Sequence, residues 1–150
     1  EWITRQLSDT DTQIIPLVKG FTPEERAICY RKFDQLNTDY CAFYGSQYFG
    51  GEMGNGINAL NNDLRDVVSE YTFEGMLLIG LQSADYLSRL PPEVVAAAGQ
   101  RWIRKSDLRN SSIAESKRRF SEWKQKPEAE LGAGNTTLGS FTSYTEGVTA

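Results

Sequence analysis

Arg101, Arg104, Lys105, Arg109, Lys117, Arg118, Arg119, Lys124 and Lys126 crowd residues 101–126, with Trp102, Phe120 and Trp123 set between them. Guanidinium and ammonium groups hold phosphate or carboxylate, and interleaved rings stack on bases, so this block has the residues of a nucleic-acid surface. Arg101, Arg104, Lys105, Arg109, Lys117, Arg118 and Arg119 form its candidate basic surface. The competing reading is a solvated helical face whose rings belong to the core. A third reading sets the block against an acidic surface on a neighbouring chain. The charge distribution suits that third reading: residues 1–100 hold 7 Lys+Arg against 14 Asp+Glu, residues 101–126 hold 9 against 3, and residues 127–150 hold 0 against 3.

Other chemistry is thinly supported. The chain has no histidine, which removes the commonest general base, the commonest transition-metal ligand and any Ser-His or Cys-His nucleophile pair. Asp63, Asp66, Glu70 and Glu74 recur at steps of three and four, a row that could hold hard cations but reads as a solvated acidic face beside Arg65. Asp9-Thr10-Asp11-Thr12 opens like a calcium loop and then fails at Gln13 and Ile14, leaving a run of turn residues. Gly50, Gly51, Gly54 and Gly56 precede a helical pattern, yet no Gly-Lys-Ser/Thr ending follows, so the stretch reads as a loop between helices. No enzyme activity, metal or cofactor is expected from these residues.

Helices are expected to position these groups. Thr22-Pro23-Glu24-Glu25 is a capping signature, and Cys29, Phe33, Leu36, Tyr40, Phe43 and Tyr44 continue from it at helical spacing. One helix through Cys29 and Cys41 would hold them about 18 Å apart, too far for a disulfide, so two reduced thiols and a reducing compartment are expected. Residues 57–90 read as a long element whose centre, Met76-Leu77-Leu78-Ile79-Gly80-Leu81, is apolar all round, as in a buried central helix. Gly75 and Gly80 then mark close helix approach or a kink. Val94, Val95, Ala98 and Trp102 suggest another helix to about residue 105, and Ser112-Ile113-Ala114-Glu115 caps a last one ending at Pro127. No apolar run approaches the 18 residues of a membrane span.

The sequence therefore predicts an all-α fold: a bundle of four to five helices in residues 22–131, an N-terminal arm in 1–21, and an extended C-terminal tail in 132–150. The opening Glu1-Trp2-Ile3 without methionine suggests processing or truncation. Leu138, Phe141, Tyr144 and Val148 are spaced along the polar tail as anchors for a partner. The expected function is a structural or interaction subunit of a larger assembly, such as a virion-like particle or multi-subunit complex, docking as a homo-oligomer or on other protein subunits. Nucleic-acid binding through residues 101–126 is the first alternative, and a small helical enzyme or ligand-binding domain is the second.

Overall fold

A computed structural model describes residues 5–7, 10–50 and 56–131 of the chain. The all-α expectation is overturned: the helices accompany a three-stranded parallel sheet of order β1-β2-β3, comprising β1 (Tyr40–Tyr44), β2 (Gly75–Ile79) and β3 (Val94–Ala98). The described helices are α1 (Pro23–Leu36), α2 (Gly56–Glu70), α3 (Ala84–Leu87), α4 (Arg101–Ser106) and α5 (Ile113–Glu130), with a 3-10 turn at Ser46–Phe49. A virion-like helical subunit loses its structural premise with the bundle.

Local chemistry sets α1 as expected. Thr22 Oγ1 accepts from the Glu25 amide at 3.3 Å while the Glu25 carboxylate accepts from the Phe21 amide at 2.7 Å. Pro23 supplies a preset φ at the first turn. Replacing Thr22 by alanine is expected to lower stability by about 1 kcal/mol, read by urea denaturation; an unchanged midpoint would show that the cap contributes nothing. The predicted helix stops early because Asn37 turns left-handed at φ 49° and its amide closes on the Asp34 carbonyl at 3.2 Å. Tyr40-Cys41-Ala42-Phe43-Tyr44, rich in aromatics, then runs as a strand.

A second correction falls at the centre. Met76-Leu77-Leu78-Ile79 is apolar on both sides because it is the middle strand of a parallel sheet. Cys41 pairs with Met76 and Phe43 with Leu78 in β1–β2, and Met76 pairs with Val94 in β2–β3. The next pair is Leu77 with Ala96, so Val95 is left over at a bulge. Gly75 and Gly80 bracket β2 instead of marking a helix crossing. A Cβ on Gly75 would lie 2.5 Å from Val95 Cγ2, and one on Gly80, at φ +104°, would lie 1.9 Å from Ser46 Oγ. The two cysteines fall on α1 and β1, not on one helix, and both are free. Burial raises the Cys41 thiol to about 12.

Part of the N-terminal arm joins this sheet. Val18 donates to the Ala42 carbonyl at 2.9 Å and Ala42 donates to the Pro16 carbonyl at 2.7 Å, a parallel bridge beside β1. Parallel segments thus lie side by side in chain order, which is how consecutive β/α units are arranged. Tyr30 and Phe33 of α1 and Leu60, Leu64 and Val67 of α2 pack with Cys41, Phe43, Met76, Leu78 and Val94 in one cluster. α1 and α2 therefore share one face of the sheet. α5 packs on α3 and α4, close to the end of β3. Among the described residues no helix is long and apolar enough to cross a membrane.

Candidate functional site

In parallel sheets the loops after the strands gather at one edge, and ligands bind there because each strand delivers a loop to the same rim. Two of the cavities formed by the described residues lie at that edge. One, of about 470 Å³, lies beyond residues 16–18 and β1, between Lys19, Tyr44, Gln47, Tyr48, Asp63 and Arg26. Tyr48 donates its hydroxyl to Asp63, and burial followed by that hydrogen bond pushes the phenol up to about 12. The other, of about 680 Å³, opens beyond β2 and β3, where Gly80, Gln82 and Gln100 meet Arg101, Arg104 and Arg109.

The second cavity gathers three of the seven basic residues singled out in the sequence. Arg101 and Arg104 stand one turn apart on α4, which starts three residues after β3, and Arg109 follows in the next turn. All three are exposed, and none makes an ion pair among the described residues. Asp107, the one carboxylate among the described residues that line this cavity, is already engaged. It accepts from Asn110 Nδ2 at 2.9 Å, Ser111 Oγ at 3.2 Å and Arg119 Nη1 at 3.2 Å. The lining therefore offers guanidinium and amide donors with its negative charge neutralised, a combination suited to holding an anion.

The remaining basic residues separate. Arg118 is occupied by Glu115 at 2.7 Å and Glu122 at 2.5 Å, and Arg119 by Glu115 at 2.8 Å and by Asp107. Hydrogen bonds from Arg118, then from Arg119, bring the Glu115 carboxyl down to about 2. Lys105 is exposed on α4 without lining the cavity, and Lys117 lines a neighbouring groove along α5. The proposed tail anchors Leu138, Phe141, Tyr144 and Val148 lie outside the described residues, as do residues 51–55 of the glycine-rich stretch.

The carboxylate row is broken up by the fold. Glu70 forms a bidentate pair with Arg26, Nε at 2.8 Å and Nη2 at 2.5 Å, and accepts from Tyr30 Oη at 2.8 Å. Glu74 is off the helix altogether. Among the described residues no group of three or more metal-ligating side chains forms. Gln82 and Ser116 had no signal in the sequence: each contributes a buried polar atom without a partner among the described residues, which depends entirely on what the tertiary fold leaves around it.

Compared with known proteins, the chain matches no family model, no curated sequence and no solved structure.

Proposed function

We propose that this chain is a ligand-binding domain whose site is the cavity beyond β2 and β3, and that the group it holds is a phosphate. The observation that carries this reading is the meeting of Arg101, Arg104 and Arg109, none in an ion pair among the described residues, at the rim where two parallel strands end. Guanidinium forks match phosphate oxygens in pairs, and the Gln82, Gln100 and Asn110 amides add neutral donors around them. A cavity of about 680 Å³ accommodates a small molecule or one segment of a nucleic-acid backbone. This is narrower than a basic face spread over residues 101–126, because Arg118 is engaged by Glu115 and Glu122 and Arg119 by Glu115 and Asp107.

Isothermal titration with pyrophosphate, a nucleoside monophosphate and a short single-stranded oligonucleotide, at low and high salt, tests the reading. Saturable binding of any of the three, lost on charge reversal of Arg101 and Arg104, is the expected result. Tight binding of the small phosphates identifies a free ligand. Oligonucleotide binding alone, with a steep salt slope, identifies a backbone. Failure of all three, or binding indifferent to Arg101 and Arg104, overturns it. The assembly reading, docking through the terminal arms and the basic segment, has its tail anchors in residues 132–150, outside the described residues.

A further inference from the structure

The groove next to the arginine cavity is built differently. It measures about 570 Å³ and runs between the end of β3 and α5, walled by Trp102, Phe120, Trp123 and Leu131. Its rim leaves Leu108 and Phe120 exposed, and Ile113 is 76% exposed. Trp102 and Phe120 meet at 79° and Phe120 and Trp123 at 46°, both with centroids 5.9 Å apart. None of these rings is stacked face to face on another; the near-perpendicular Trp102–Phe120 contact sets the edge of one ring against one face of the other and leaves that ring's opposite face uncovered by the pair.

Two residues that line this apolar groove each hold a buried polar atom with no partner among the described residues. Ser116 is only 3% exposed and its Oγ makes no hydrogen bond; the Gln82 Oε1 is likewise buried and unpartnered. Buried acceptors left unpaired cost stability, and an aliphatic guest would leave them so. A guest that satisfies them brings an N–H or O–H donor for Gln82 and either a donor or an acceptor for Ser116. Gln82 and Leu108 also line the arginine cavity, so the two spaces share a wall.

We infer that the groove takes a planar heteroaromatic ring bearing hydrogen-bond donors, and that this ring and the phosphate held by Arg101 and Arg104 belong to one ligand of the nucleotide type. The ring half stands on the groove alone; only its linkage to a phosphate rests on the reading above. Stacking against Trp102 or Trp123 supplies the ring's affinity, and Gln82 at the shared wall selects rings with an amino or imino group. Lys117, exposed at the groove and without an ion pair among the described residues, adds positive charge on the same side.

The test titrates the full chain with adenosine, adenosine monophosphate, guanosine monophosphate and ribose 5-phosphate, following tryptophan fluorescence and heat. The expected result is a saturable quench by the nucleotides, with at least one bound about tenfold or more tighter than ribose 5-phosphate. Ser116→Ala, whose residue lines the groove and not the arginine cavity, should erase much of that margin and leave ribose 5-phosphate unaffected, with a thermal midpoint no lower than that of the parent showing that the fold is intact. Equal binding of ribose 5-phosphate and nucleotide overturns the ring site while the phosphate reading survives. Binding of adenosine without ribose 5-phosphate upholds the ring site and removes the phosphate. No quench by any ligand overturns the inference.

Discussion

Replacing Arg101 and Arg104 together by glutamine is expected to weaken phosphate binding by about 100-fold or more, with stability changed by less than about 0.5 kcal/mol. Each guanidinium–phosphate contact contributes roughly 1.5–3 kcal/mol when charge-assisted, so each loss is at least about tenfold in affinity. Both side chains are exposed and make no ion pair among the described residues, so the folded state has little to lose. Glutamine keeps a donor and much of the length, which isolates the charge. The neighbours on α5 sharpen the test. Arg118→Gln is expected to change binding less than about twofold, because its partners are Glu115 and Glu122 on its own helix. Arg119→Gln is expected to weaken binding several-fold through Asp107, whose carboxylate lines the cavity and would lose its cation. Titration calorimetry of the variants gives the order. Equal losses at Arg118 and at the Arg101/Arg104 pair would mean a diffuse basic surface and no built site.

What the sequence reveals here is what is local. The α1 start was legible because a cap is decided within four residues, Thr22 to Glu25. Strands are decided by partners far along the chain, and β2 in particular carries no alternation for a reader to find. An apolar run buried on two faces has no period, so Met76-Leu77-Leu78-Ile79 is indistinguishable from a buried helix until its length, bounded by Gly75 and Gly80, is given weight. The alanines of β3 lean toward helix by propensity and were placed in a strand by the pairing of Ala96, Ala97 and Ala98 with β2.

The site divides in the same way. That residues 101–126 were basic was plain, and part of the sorting was within reach: Glu115 stands three and four residues before Arg118 and Arg119, the spacing of helical ion pairs. Nothing local showed that Arg101 and Arg104 would stand at the mouth of a parallel sheet, since that sheet was not foreseen. The partnerless atoms of Gln82 and Ser116 follow from packing across β2, β3 and α5 and have no sequence signature at all.

The Arg26–Glu70 pair holds the two sheet-covering helices together, and Glu70→Ala is expected to lower stability by about 4 kcal/mol in urea denaturation at pH 7. Arg26 is 6% exposed, so the substitution strands a buried cation, and breaking a buried pair from one side typically costs about 3–5 kcal/mol. Tyr30 loses its acceptor at the same time, inside the aromatic set it forms with Phe33, Tyr71 and Phe73. Removing both charges as Arg26→Met with Glu70→Leu should recover more than half of the loss, because no charge is then left behind. Acid provides an independent check. Hydrogen bonds from Arg26, opposed by burial and joined by Tyr30, hold the Glu70 carboxyl below its ordinary range. A depressed carboxyl stabilises the fold above its unfolded value of about 4.3, and that contribution is lost as pH falls through the lower folded value. Wild-type stability should therefore drop between about pH 5 and the lower limit of folding by more than that of the charge-free double variant, which has no such carboxyl to protonate. Parallel acid profiles for the two, or a Glu70→Ala loss below about 1 kcal/mol, would show that α1 and α2 are held by their apolar contacts with β1 and β2 and that the ion pair is incidental.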